Sequence, residues 1–210
     1  MDAAKIIANI KSQALVGNTG AADDEDRILR YVNLGYNMVY AKCAQTYPEM
    51  YQRFQNMPID DGTGLFIFPV FHLLSVADRN NNFGCIEPRS VGVIQQSDFG
   101  LTATGAPRYY DRIFNGLLTY PRNSTVLQLR YVPPVVELTA DTREIDIQIS
   151  PTYHEVLVWA ALWLMAYDER DKLVGSELQF TLDRYEKLMD SLTMYLFSQK
   201  PKEERRVQRW

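Results

Sequence analysis

Apolar positions along the chain change their period twice, and each regime predicts a different kind of element. Residues 3–15 set Ile6, Ile7, Ile10, Ala14 and Leu15 at helical spacing, and Gly17-Asn18-Thr19-Gly20 ends that helix. The acidic run Asp23-Asp24-Glu25-Asp26 opens a second helix, where negative charge meets the positive end of the helix dipole. Ile28, Tyr31, Val32, Gly35, Met38 and Val39 keep the i, i+3, i+4, i+7 rhythm. The stem of Lys42 ends that stripe, so the helix is predicted to run to about Gln45. Pro48 allows a further turn of helix through Phe54, and Pro58, Gly62 and Gly64 close the region.

The middle of the chain reads as β. Residues 65–68 and 70–76 are rich in aromatic and β-branched side chains and are interrupted at Pro69. Residues 78–84 (DRNNNFG) form a turn-rich loop, 91–95 are a candidate third strand, and 97–107 read as a loop. Residues 109–114, 117–120 and 126–131 read as a hairpin around Pro121-Arg122-Asn123-Ser124. Val126, Gln128 and Arg130 alternate with Leu127, Leu129 and Tyr131, which predicts one polar face open to solvent or to a partner. Pro133-Pro134 and an acidic linker follow, as the expected hinge back to the body.

Helical period then returns. Ser150 fits an N-cap and Pro151 a first helical position, and Thr152-x-x-Glu155 offers a capping box one turn later. Residues 156–167 carry no charge. Val156, Leu157, Trp159, Ala160, Trp163, Leu164 and Tyr167 cover most of the circumference, which requires burial on several sides. After a charged turn at 168–172 and Gly175, a final helix over about 176–197 places Leu178, Leu182, Tyr185, Leu188, Met189, Leu192 and Leu196 on one stripe. Pro201 ends it.

The order of helices, small sheet and helices predicts an α+β fold, mainly α. A helical bundle would be built from residues 1–57 and 150–198. It would carry a small antiparallel sheet or hairpin arm over 58–149 and a basic tail over 199–210. The whole is expected to be one structural domain with extensions.

Charge adds one contrast. The 210 residues carry a net charge of −4, which argues against a general nucleic-acid coat. Residues 200–210 are +3 from Lys200, Lys202, Arg205, Arg206 and Arg209 against Glu203 and Glu204, leaving −7 elsewhere. A basic tail on an acidic body suggests docking on an acidic partner; the alternative is a solvated terminus. Cys43 and Cys85, far apart, exclude a disulfide framework and a cysteine-based zinc site. No signal peptide or membrane-length apolar run is visible, so synthesis in a cytosol is expected.

The search for chemistry returns little. His72 and His154 are the only histidines, and an HExxH motif from His154 would need a second histidine where Val158 stands. Both are expected to be structural. No phosphate-cradling glycine loop and no GxSxG elbow is present. Asp23-Asp24 and Asp60-Asp61 lie at a helix start and a turn, where carboxylates are common. Trp159 and Trp163, one helical turn apart, read as core packing before they read as a ligand cage. No catalytic, cofactor-binding or metal-binding residue is expected, and no cofactor.

The second half of the chain resembles the head-to-tail adaptor, or connector ring, proteins of tailed bacteriophages. The residues that carry the likeness are Val126-Leu127-Gln128-Leu129-Arg130-Tyr131, Pro133-Pro134 with Leu138-Thr139, and Ile149-Ser150-Pro151. Tyr153-His154-Glu155 with the helix to Asp168, and the long last helix with its charged tail, complete it. The first half fits by order of elements only. The tryptophan-bearing helix and the loop at 98–107 depart from the pattern.

The resemblance implies a structural virion protein without catalysis, at the head-to-tail junction and made in the host cytoplasm. It implies a homo-oligomeric ring, usually a dodecamer, between the portal protein and a tail tube, nozzle or stopper protein. DNA would pass through the acidic lumen without sequence-specific binding. In this chain Lys200, Lys202, Arg205, Arg206, Arg209 and Trp210 become the portal-docking candidates, since arginines pair with carboxylates and an aromatic can anchor in a pocket. Tyr120, Arg122, Gln128 and Arg130 become the partner-facing arm candidates. Beside this reading stand a tail-completion or nozzle-type ring protein, a small hydrolase with an unrecognised carboxylate site, and a host regulatory module that binds a peptide.

Overall fold

A computed structural model describes residues 1–14, 25–59, 65–67, 72–113, 116–168 and 175–201. The chain divides into two compact units, one of Met1–Tyr47 with Val135–Trp210 and one of Pro48–Pro134.

Helices dominate the first unit. Helix α1 spans Ala3–Ala14 and buries Ala3, Ile6, Ile7 and Ile10, as their spacing predicts. Its first turn is capped by Asp2, whose Oδ1 accepts the Lys5 N–H at 2.8 Å. Leu15 and the acidic residues 23–24 lie outside the described residues. Helix α2 spans Glu25–Thr46 and opens on Glu25 and Asp26. Its buried face holds Ile28, Tyr31, Val32, Gly35, Tyr36, Val39, Tyr40, Cys43 and Ala44. Met38 and Lys42, expected on this stripe, are exposed, and Tyr36 and Tyr40 take the inward positions. The ring bodies bury apolar area and the Tyr36 hydroxyl finds a backbone partner, so tyrosine outcompetes methionine there.

Helix α5 (Glu155–Asp168) contacts α1, α2 and α6 (Gly175–Gln199). It buries Val156, Leu157, Val158, Ala160, Ala161, Leu162, Met165 and Ala166. The approach to α2 is close: a Cβ built on Gly35 would lie 2.8 Å from Ala160 Cβ and 3.3 Å from Ala161 N. Only glycine admits this contact without a shift. Ser150 precedes a 3-10 turn over Pro151–Tyr153, and α5 begins at Glu155, so the proline marks the preceding turn rather than the helix itself. In α6 the buried residues of the predicted stripe are Met189, Leu192 and Leu196.

The acidic linker is held to the helices. Leu138, Ile147 and Ile149 are buried. The Ala3 N–H donates to the Thr142 carbonyl at 3.1 Å, and the Gln148 N–H donates to the Tyr36 hydroxyl at 2.8 Å. Burial raises the Tyr36 pKa, and the Gln148 bond opposes that rise.

Among the described residues, the second unit is built on seven strands. After a short helix α3 (Pro48–Tyr51) come β1 (Arg53–Ile59), β2 (Leu65–Ile67), β3 (His72–Asp78), β4 (Gly84–Pro88), helix α4 (Val91–Gln95), β5 (Tyr109–Ile113), β6 (Gly116–Tyr120) and β7 (Thr125–Val132). Their order in the sheet is β1-β7-β3-β4-β5-β6-β2, with β4 and β5 parallel and every other pair antiparallel. Only residues 60–64 join β1 to β2, although these strands stand at opposite edges. The six Cα steps from Ile59 to Leu65 span at most about 23 Å. Six strand spacings of a flat sheet need about 29 Å. The sheet is therefore curved back on itself. Its core is Ile59, Val76, Ile86, Leu117, Leu127 and Leu129.

Four local expectations change here. Residues 117–120 and 126–131 do not form a hairpin together: β6 pairs with β5 and β2, while β7 runs between β1 and β3. In that central position Leu127 and Leu129 are fully buried, which an edge arm would not give them. Residues 91–95 are helix α4, not a strand. The carboxylate of Asp111 on β5 accepts the Val91 N–H at 2.7 Å, and only Ile94 is buried, so a tertiary cap and one apolar contact override β propensity. Helix α3 stops at Tyr51, because Phe54 pairs with Arg130 in the β1–β7 ladder. Pro58 lies inside β1, where the edge position excuses its missing N–H.

Candidate interaction surfaces

The six tail candidates begin with Lys200, which the structure places in an aromatic clasp. It follows α6, is 7% exposed, and its ammonium lies 4.8 Å from the ring centroid of Phe197 and 5.7 Å from that of Tyr47. At these distances the ring quadrupoles attract the cation. Lys202, Arg205, Arg206, Arg209 and Trp210 lie outside the described residues.

The four arm candidates fall into two groups. Gln128 and Arg130 share one face of β7. Directly paired residues on neighbouring strands point to the same side. That side therefore also carries Phe54 and Asn56 of β1, Ser75 and Ala77 of β3, and Cys85 of β4. Arg130 Nε donates to Gln52 Oε1, which orients the guanidinium along the edge. Phe54 is 60% exposed, Asn56 and Cys85 are exposed, and Gln128 and Arg130 are half-buried. The opposite side of the same strands is the core. The sequence signal for this face was the polar alternation of β7. It missed Phe54, because the register of β1 on β7 is a long-range pairing.

Tyr120 and Arg122 belong instead to the loop at 97–107. Asp98 organises it: its carboxylate accepts the Ala103 N–H at 2.8 Å and the Tyr120 hydroxyl at 2.9 Å. The Arg122 N–H donates to the Ala103 carbonyl, and the Arg122 carbonyl accepts the Gly105 N–H. The Ala103 bond is the main cause that lowers the Asp98 pKa, with help from Tyr120 and against partial burial. Leu101 and Gly105 take positive φ, which the turn requires. The loop thus has a defined conformation and presents Phe99, 87% exposed.

The histidines divide. His154 is 0% exposed; its Nδ1 lies 2.7 Å from the Met1 carbonyl and its Nε2 2.8 Å from the Ile149 carbonyl. It ties the chain start and the linker to α5, a structural role. His72 is exposed at the start of β3. Among the described residues, no group of three histidine, cysteine or acidic side chains is placed to hold a metal. Trp159 and Trp163 are half-buried on the seam between α5 and α6, not in the centre of the core. Trp163 stacks on Tyr185 with centroids 5.6 Å apart, and Trp159 meets Phe180 edge-on at 5.7 Å. Arg184 lies over Trp159 and Phe180, closing the seam with a cation.

The described geometry therefore offers surfaces for partners: an open sheet face, a pre-formed loop and a clasped root for a basic tail. Among the described residues, no helix is long and apolar enough to cross a membrane. A search of curated proteins finds no match to this chain. The SU10 adaptor protein profile, however, matches residues 1–208. The chain belongs to the SU10 adaptor family, and with it to the structural head-to-tail adaptors of tailed phages that the second-half motifs resemble.

Proposed function

We propose that this adaptor forms a ring, of twelve copies in the family's usual number, between the portal protein and a tail tube, nozzle or stopper protein. The helical unit acts as a bundle at the ring's body, and the sheet unit is the inserted arm that meets a neighbour or the tail. DNA passes the lumen without sequence-specific contact, since an acidic body repels phosphate. The protein is made in the host cytoplasm, joins the virion, and catalyses nothing.

The observation that supports this reading most is Lys200. The first basic residue of the tail is an anchor in the helical unit, so Lys202, Arg205, Arg206, Arg209 and Trp210 follow from a fixed point. A charged segment with a fixed root suits docking on an acidic portal surface. Deleting residues 201–210 tests it. The truncated protein should remain folded and fail to join portal-containing capsids, and normal attachment would refute portal docking. The mass of the purified assembly tests the ring separately.

A further inference from the structure

Helices α2 and α6 leave an open groove of about 600 Å³ between them. Met38, Lys42 and Gln45 line one wall, and Tyr185, Glu186 and Asp190 the other. The walls combine a thioether and an aromatic ring with two carboxylates against one ammonium. Among the described residues, Glu186 and Asp190 form no ion pair. Tyr47 stands two residues past Gln45, so the clasp on Lys200 sits at one end of this groove.

We infer that the groove receives the chain's own basic tail, residues 202–210, before any partner takes it. The reach fits. Asp190 is ten residues before Lys200 on α6 and Glu186 fourteen. That places them about 15 and 21 Å back along the helix. An extended chain covers about 3.3 Å per residue, so Arg205 and Arg206 reach roughly 17–20 Å and Arg209 roughly 30 Å from Lys200. The chemistry fits as well. A guanidinium pairs with a carboxylate and lies flat on a tyrosine ring, and the Trp210 indole matches the Met38 wall. Parking the tail in this way would keep its charges from wrong partners until the docking surface displaces it.

The contact belongs to the free protein and is tested without capsids, so its failure is distinct from failure of portal docking. In the 210-residue protein carrying Cys85→Ser, to remove the exposed thiol, Met38→Cys, on the groove wall away from the clasp, is combined with Val207→Cys, which an extended tail carries about 23 Å from Lys200. All the basic tail residues are kept. Under mild oxidation the two thiols should form a disulfide within one chain about tenfold faster than Ser191→Cys with Val207→Cys, the tethered tail being locally concentrated in the groove. Adding Glu186→Lys and Asp190→Lys should remove that preference. Equal rates for the two pairs would overturn the inference. So would a disulfide formed between chains, which would assign the groove to a neighbour's tail, or a preference that survives charge reversal.

Discussion

Asn33 of α2 pairs both ends of its carboxamide with the backbone of Leu138: Nδ2 donates to the Leu138 carbonyl at 3.0 Å, and Oδ1 accepts the Leu138 N–H at 2.7 Å. One side chain thus does for the linker what a neighbouring strand would do, and it fixes where the chain returns to the helices. Leu138 itself is buried beside it. Asn33→Ala removes both bonds and leaves two backbone groups poorly paired. The expected loss is about 2 kcal/mol, since each such bond is worth about 1 kcal/mol net. Urea denaturation measures it, and a loss under about 0.5 kcal/mol would show that the linker is held by its other contacts without Asn33.

Gly35→Ala should destabilise, although alanine is the better helix former by about 1 kcal/mol. The added methyl would meet Ala160 Cβ at 2.8 Å, and that atom is fixed to its helix. Overpacking of this kind costs about 1–3 kcal/mol, and with the Ala161 backbone N also only 3.3 Å away the upper part of that range applies, for a net loss of about 1–2 kcal/mol. A raised melting temperature for Gly35→Ala would mean that α2 and α5 can separate freely at this point.

Asp98 should titrate below the ordinary aspartate value of about 3.9. Its folded pKa is lowered, so its contribution to the loop is complete above the unfolded pKa and is lost as pH falls through the folded one. Carboxyl NMR titration reads the pKa directly. Asp98→Asn, which weakens acceptance from Ala103 and Tyr120, should speed hydrogen exchange at the Ala103 amide at neutral pH. An Asp98 pKa at or above the ordinary value would contradict the observed bonding.

Phe54→Ala should change stability by less than about 0.5 kcal/mol, as expected of an exposed side chain away from special backbone. If the open sheet face meets a partner, the same change should weaken that attachment by about tenfold, because exposed aromatics are typical interface anchors. Quantitative binding of the tail-side partner to adaptor-bearing capsids gives the readout. Unchanged binding would remove this face from the interface.

What the sequence alone determined lies where contacts are local. The spacing of Ile6, Ile7 and Ile10, the uncharged run through Ala160 and the stripe of Met189, Leu192 and Leu196 each predicted a helix that is present. The alternation across Leu127 and Leu129 identified a strand and its apolar face. The motifs around Pro133, Ser150 and His154 pointed to the family. What only the tertiary structure decided depends on residues far apart in the chain. Neighbouring strands 116–120 and 125–132 do not pair, because β7 gains two ladders and a buried face between β1 and β3. Residues 91–95 became helical once Asp111 capped them. Lys200, legible only as a charge, is fixed by Tyr47, more than 150 residues away in sequence. Periodicity shows which face of an element is apolar; what that face meets is set by the packing of the whole unit.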